Sequence, residues 1–496
     1  MSAILLPILL VAIPLAAGLI IFHLPERRHR LRTAINLGAA GAKLALVIGL
    51  LAGVEAGGEY VAALPWLPGR ELVLRVDAPA LLLLTLSSFL WLLTTLYAIG
   101  YLEGAPHRSR FFGFFSLCVA ATSGVALAGN LLTFLFFYEL LTLATWPLVI
   151  HRGTAEARRA GAVYLRYTLA GGVVLLAGMV ALESVTGPVD FAIGAALPAE
   201  AGPVVVIAFA LMLAGLGVKA ALVPLHGWLP RAMVAPAPVS ALLHAVAVVK
   251  AGAFGIVRLV HDVYGVAYLE ALGGLDVLAA AATATILWGS WRALQQDELK
   301  RRLAYSTVSQ VAYITLGVAV AGPVATLGGI VHLVHQGLMK ITLFFAAGNL
   351  AETLEIHRIS RMDGVGRRMP LTMAAFTIGA LGMIGIPPVA GFVSKWYLGL
   401  GGLEAGSGWV VAVLAASSLL NAAYFLPILQ RAWFRPPRRG EWEDRGGSGA
   451  LEAPWLLLMP PVVTAAAALV VGLAAGSNLS PLAWTQRVVV LLGGGA

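Results

Sequence analysis

Five lysines of this sequence, Lys43, Lys219, Lys250, Lys340 and Lys395, fall inside long apolar runs, while arginine supplies almost all of the charge between the runs. A lysine at bilayer depth costs a few kcal/mol, so it is expected to face protein or water and to serve a purpose. Unlike arginine, a desolvated lysine can give up its proton. These residues can therefore carry protons. One carboxylate, Glu139 in NLLTFLFFYELLTLATW, also lies far from any end, about 12 Å into its run at 1.5 Å per residue. It implies a counter-charge, and Lys219 is the expected partner, each group then tuning the proton affinity of the other. A static buried pair that only fixes helix packing is the alternative.

Lys219 is followed by Pro224 in LAGLGVKAALVPLHGWLP, and Lys395 follows Pro387 and Pro388 in GMIGIPPVAGFVSKWYL. A proline cannot donate to the helical ladder, so both runs are expected to kink or break beside their lysine. Broken backbone at this depth is tolerated only where it is buried in protein or lines a wet cavity. The two breaks sit five runs apart, as an inverted repeat of five helices would place them, and such repeats mark transport pathways.

Between the breaks, HAVAVVK carries His244 and Lys250, and HLVHQGLMK carries His332, His335 and Lys340. Histidine titrates near neutrality and is a natural relay between lysines. His332 and His335 share a helix face, yet no nearby carboxylate or cysteine completes a metal ligand set, so no metal is expected. His226, just beyond the first break, stands where it would either pass protons onward or bond the freed backbone. Lys43, alone in the second run, reads as an edge contact to another subunit or to lipid, and Arg166 and Arg258, near run ends, as snorkelling side chains.

The elements that must hold these groups follow from composition. Hydrophobic residues make up 59% of the 496, charged residues 11%, and mean hydropathy is +0.88. Such a chain is an all-α polytopic membrane protein, with lipid as its solvent. Runs long enough to cross a bilayer predict fourteen spans, near 2–22, 34–53, 77–100, 111–129, 131–150, 161–184, 203–229, 239–260, 271–291, 302–320, 323–350, 370–397, 407–433 and 455–474. The first run lacks a basic start and a cleavage site, and is expected to be retained. Basic residues cluster in alternate loops, from Arg27, Arg28 and Arg30 to Arg435, Arg438, Arg439 and Arg445, which predicts both termini outside. The net charge of +9 thus reflects topology and gives no reason to invoke nucleic acid. Alternation in YVAALPWLPGRELVLRV predicts a hairpin on the outer face. The lone cysteine, Cys118, excludes an intrachain disulfide.

The blocks PLHGWLPRAMVAPAPVSALLHAVAVVKAG, LKRRLAYSTVSQVAYITLG, HLVHQGLMKITLFFAAGNL and GIPPVAGFVSKWYL, in this order, resemble the antiporter-like subunits shared by respiratory complex I, membrane-bound hydrogenases and Mrp-type cation/proton antiporters. The resemblance runs along nearly the whole chain. It implies about fourteen helices with inverted five-helix repeats at spans 4–8 and 9–13, and broken helices 7 and 12. The division becomes 1–110, an N-terminal three-helix segment with its hairpin; 111–260 and 271–433, the two repeats; and 455–496, a C-terminal helix and tail.

The same resemblance implies proton-translocating roles for Glu139, Lys219, Lys250, His332 and Lys395, with His244, His335 and Lys340 as neighbouring positions of less direct correspondence. APAPVSALLHAVAVVKAG and FVSKWYL are most similar to the D-subunit branch of Mrp antiporters. That implies a proton-conducting subunit of a Na+/H+ antiporter in a bacterial or archaeal inner membrane, partnered by other hydrophobic subunits and lacking a cofactor. The alternative is the proton-pumping membrane subunit of a complex I-like oxidoreductase or a hydrogenase. No cysteine cluster or dinucleotide fingerprint is present, so any redox chemistry would belong to partners.

Overall fold

The computed structural model describes residues 2–191, 197, 202–437 and 452–492. The chain runs α1 (Ser2–Phe22), α2 (His29–Glu55), β1 (Tyr60–Leu67), β2 (Arg70–Val76), α3 (Ala78–Tyr101), α4 (Arg108–Leu127), α5 (Leu131–Val149), α6 (Ala155–Thr186) and α7 (Gly202–Lys219). It continues through α8 (Ala237–Ala245), α9 (Val248–Arg258), α10 (Val266–Ala271), α11 (Gly274–Leu294), α12 (Leu299–Ala319) and α13 (Pro323–Leu354). The remaining helices are α14 (Val365–Arg368), α15 (Pro370–Ile384), α16 (Ala390–Glu404), α17 (Trp409–Phe434), α18 (Trp455–Leu473) and α19 (Pro481–Leu491).

Twelve helical stretches among the described residues are long and apolar enough to cross a membrane. Two of the fourteen expected spans fall outside that count for visible reasons. The tenth, α12, opens on Lys300, Arg301 and Arg302, and the twelfth is divided between α15 and α16, each of 15 residues. The fold is an all-α polytopic membrane bundle, as the composition requires.

Successive crossings place the loops on two faces. The arginine-rich face is tied together by Lys300 Nζ donating to the Ala235 carbonyl at 2.6 Å and by Leu299 N donating to the His357 carbonyl at 2.9 Å. Arg438, Arg439 and Arg445 lie outside the described residues. The opposite face carries the expected hairpin, β1 antiparallel to β2 with Tyr60 opposite Val76. Gly129 N and Phe191 N continue that lattice, donating at 2.8 Å to the carbonyls of Val73 and Gly129.

Without a hydrophobic drive between helices in lipid, close packing rests on small residues. Helices α6 and α7 meet over Gly171, Gly178 and Gly215, where an added Cβ would press on the opposite helix. The innermost elements are α8–α9 and α13, whose spans are wholly enclosed by their neighbours.

Two side chains depart from expectation. Lys43 is no edge contact, for it is completely buried, its ammonium 5.7 Å from the centre of the Trp91 ring. Arg258 does not snorkel: it donates to Asp262 at 2.6 Å and to Asp77 at 2.7 Å, joining α3 to the end of α9. Arg166 points outward and bonds its own helix, at the Ala162 carbonyl.

Candidate functional site

The two breaks are made by the same backbone device. After Lys219, Ala221 adopts positive φ (57°), with Ala221 N donating to the Val218 carbonyl and Leu222 N reaching back to Gly217. After Ile384, Gly385 adopts φ of 96°, with Gly385 N donating to Gly382 and Ile386 N to Leu381. Each is a Schellman termination, in which a left-handed residue lets two amides cap earlier carbonyls. At Gly385 that conformation is free of strain, whereas at Ala221 it costs roughly 1–2 kcal/mol. Pro224, Pro387 and Pro388 follow these terminations instead of kinking a continuous helix, and they prevent the helix from resuming in the same register.

A third interruption carries no proline or glycine. Helices α8 and α9 are separated at Val246 and Ala247, between His244 and Lys250, where Val246 N and Ala247 N share the Leu242 carbonyl. The span then ends in a π-helical turn, Leu259–Tyr264.

At one end of the site, Lys219 Nζ stands 3.8 Å from Glu139 Oε1. It lies over the Tyr138 ring, 3.4 Å from its centre, and donates to the Tyr138 carbonyl. Lys219 is fully buried, whereas the Glu139 side chain is 28% exposed. Gly172 of α6 leaves the room that carboxylate needs, since a Cβ there would collide with it. Toward the molecular surface, Glu139 lines a groove of about 340 Å³ with Trp66, Leu132, Phe136 and Leu143.

Helix α9 packs directly on the break through Gly252, where a Cβ would meet the backbone of Lys219 and Ala220. Lys250, two residues away on the same helix, lies on a different face and turns toward α13. Lys250 Nζ donates to the Leu333 carbonyl of α13 at 2.7 Å, the residue after His332. His332 Nδ1 bonds Ser394 Oγ at 2.7 Å, and its ring meets Tyr313 edge-on at 5.2 Å. Lys395 lies 5.4 Å from the Tyr313 ring centre and donates to Ile384 O at 2.8 Å, Ser418 Oγ at 2.9 Å and Met383 O at 3.2 Å. The Schellman turn leaves those two carbonyls without helical donors, so the second break supplies the acceptors for its lysine.

Glu139, Lys219, Lys250, His332 and Lys395 line up as a file across the bundle, the Glu139–Lys219 pair on one side of α9 and Lys250, His332 and Lys395 on the other. Lys340 joins it further along α13, donating to Ser306 Oγ of α12 at 2.7 Å. His244 is buried against Phe344, its ring centre 4.5 Å away, with neither nitrogen bonded to protein. His335 is likewise buried, close to the Ala390 backbone, with neither nitrogen in hydrogen-bonding geometry among the described residues. Burying a polar group without a partner costs energy, and ordered water is the usual remedy. His226 stands apart, half-buried in the short turn after the first break, 6.3 Å from the Tyr305 ring. Tyr138, Tyr313, Ser394 and Ser418 complete the contacts of the file. They escape a reading based on titratable residues because each acts through a ring face, a carbonyl or a hydroxyl.

The fold and the file define a polytopic membrane subunit of the antiporter-like class. A family model described as NADH:quinone oxidoreductase/Mrp antiporter, TM, matches residues 128–421, the stretch that holds the whole file, and the chain belongs to this family. It is 39% identical over 492 residues to NADH-quinone oxidoreductase subunit N of Desulforudis audaxviator, covering 94% of this chain and 95% of that one. Its structure is similar to a chain of the Mrp complex from Dietzia sp. DQ12-45-1b, with a TM-score of 0.87 and 27% identity over 99% of this chain and 98% of that one. It is also similar to a chain of the archaeal membrane-bound sulfane sulfur reductase, with a TM-score of 0.85 and 26% identity over 98% of both.

Proposed function

We propose that this chain is the proton-conducting subunit of a multisubunit Mrp-type cation/proton antiporter in a bacterial or archaeal inner membrane. Both termini lie outside, and the arginine-rich face is cytoplasmic. The observation that carries the reading is the file from the Glu139–Lys219 pair across α9 to Lys250, His332 and Lys395, flanked by the buried imidazoles of His244 and His335. Lysines in such a setting accept and release protons, and the helix breaks give water a way to alternate ends. Loading one half of the Glu139–Lys219 pair alters the electrostatic balance at Lys250, then at His332, then at Lys395. The segments 111–260 and 271–433 act as the two inverted repeats. Lys340, His244 and His335 serve as side stations, and His226 as a contact toward the cytoplasm.

Glu139 also bears on partners. The Glu139 side chain borders an apolar lateral groove at membrane depth, with its carboxylate turned inward against Gly172, and another hydrophobic subunit covers that groove. The cation exported in exchange is Na+, handled within the complex.

The full-length identity to a subunit N favours a second reading, in which the same file serves as the pump arm of a redox complex. A mild-detergent pull-down of the tagged native protein, with mass spectrometry of what accompanies it, separates the two. Small hydrophobic subunits alone support the antiporter, while flavin, iron–sulfur or hydrogenase subunits overturn it in favour of the redox pump.

A further inference from the structure

Lys43 lies outside both the file and the family-matched stretch 128–421. It sits near the midpoint of α2, about 21 Å from that helix's start at 1.5 Å per residue. Its side chain is completely enclosed, and its ammonium finds no hydrogen-bond partner among the described residues. The Trp91 ring, 5.7 Å away, is at the limit of useful cation–π range.

Beside Thr85 Oγ1, α3 carries three more buried polar groups: Ser88 Oγ, Trp91 Nε1 and Thr95 Oγ1. Their spacing of three and then four residues puts them on one helix face, the face that Trp91 turns toward Lys43. None has a hydrogen-bond partner among the described residues. An ammonium and an indole N–H can only donate, so this group needs acceptors beyond its two hydroxyls. Water bound by two to four such neighbours is what satisfies a buried polar cluster of this kind.

The surroundings of Lys43 are one-sided. The buried stripe of α2 reads Arg32, Asn36, Ala40, Lys43, Val47, Leu50. From the arginine-rich face inward, Arg32 donates to Ser109 Oγ at 2.9 Å and Asn36 Oδ1 accepts from Ser116 Oγ at 3.4 Å. Beyond Lys43 the stripe is aliphatic. No second charge faces the amine: α1 contains no titratable side chain, Tyr97 of α3 turns to the Phe345 carbonyl, and Cys118 of α4 turns to Thr145. Tyr101, Arg108 and Arg110 lie at the arginine-rich ends of α3 and α4.

We infer that Lys43, with Ser88, Trp91 and Thr95, forms a water-bridged protonatable site at mid-bilayer, reached only from the arginine-rich face and separate from the central file. The amine takes up a proton through the Asn36–Ser116 seam and returns it the same way, with Val47 and Leu50 as the seal. Its charge adds a second input to the field felt by the file, and this part of the inference rests on the proposed proton-conducting role.

The test uses the assembled complex with Cys118→Ser as background. Asn36→Cys and Val47→Cys are exposed to a membrane-impermeant methanethiosulfonate from either side of sealed vesicles. Asn36→Cys is expected to react from the arginine-rich face only and Val47→Cys from neither. An unreactive Asn36→Cys in an assembled complex, or reaction from the hairpin side, overturns the seam.

Proton movement is then compared for Lys43→Met, Lys43→Arg and Lys219→Met. Both Lys43 variants are expected to fall about three- to tenfold with an altered pH profile, a loss on the scale of one 1.4 kcal/mol factor of ten. A wild-type rate and profile in Lys43→Met beside a dead Lys219→Met overturns the site and leaves the central file standing. Wild-type behaviour in both overturns the file as well. Where Lys43→Met does not assemble, the Asn36→Cys labelling decides.

Discussion

Lys219 approaches Glu139 to 3.8 Å yet spends its hydrogen bond on the Tyr138 carbonyl. The pair is thus an electrostatic contact at 3.8 Å, beyond hydrogen-bonding distance, between a sealed amine and a carboxylate turned against Gly172 of α6. Either partner can be neutralised without tearing a bond from the other. A purely structural ion pair would be expected to close that gap, because buried charges repay their desolvation only with good geometry.

Substitution of this pair gives the first prediction. In the assembled complex, Lys219→Met removes the proposed proton carrier, and Lys219→Arg keeps a charge that does not release its proton. Both are expected to lower proton movement in proteoliposomes by at least about tenfold, equivalent to about 1.4 kcal/mol. Full activity in Lys219→Arg would show that a fixed charge suffices.

At the far end, His332 and Lys395 meet through Tyr313 and Ser394. Ser394→Ala strips His332 Nδ1 of its bond, whereas Tyr313→Phe keeps the ring between the two groups and loses only its hydroxyl bond to Ser417. Ser394→Ala is expected to slow proton movement several-fold more than Tyr313→Phe. The reverse order, measured side by side, would assign the relay to the phenol.

Arg258 yields a prediction about stability. Its side chain is 3% exposed and holds Asp262, 2% exposed, together with Asp77. Arg258→Met strands the buried Asp262 carboxylate and is expected to destabilise the protein by about 3–5 kcal/mol, with Asp262→Asn restoring much of the loss. Thermal unfolding of the purified protein reads both changes, and an unshifted transition in Arg258→Met contradicts the account.

On the arginine-rich face, the His151 imidazole is held down to about 4, first by burial and then by Arg110, His107 and Arg152. Its folded value lies below the ordinary histidine value of 6.5, so the unfolded chain binds the proton first on acidification. The stability this group contributes is full above about pH 6.5 and is lost as the pH falls toward 4. His151→Gln is expected to flatten the decline of Tm across that window. A decline as steep as in the unsubstituted protein would place the sensitivity elsewhere.

What the sequence made legible follows from what its residues must pay for locally. A lysine or a glutamate in an apolar run demands a protein environment wherever the partner lies, so Glu139, Lys219, Lys250, His332 and Lys395 could be named in advance. The prolines likewise marked both breaks to within a few residues. Long-range and backbone effects escaped. Asp77, 181 residues from Arg258, gives no local sign of being its partner, and Lys43 looked peripheral because only one stripe of α2 is enclosed. The interruption at Val246 and Ala247 is written in no breaking residue. It depends on the packing of α8 and α9 against α13 and their neighbours, which no local pattern in HAVAVVK records.

The second break has a consequence for the order of events. Lys395 leans on the carbonyls of Met383 and Ile384 and on Ser418, whereas Lys219 faces a carboxylate. A carboxylate can be switched off by a proton, but a carbonyl dipole is permanent. The file therefore has unlike terminals: a proton arriving at Glu139 changes the counter-charge beside the first amine, whereas one arriving at Lys395 leaves its acceptors unaltered. On the proposed route the two ends would therefore answer a proton differently, and that inequivalence is built into the polypeptide before any partner subunit is attached.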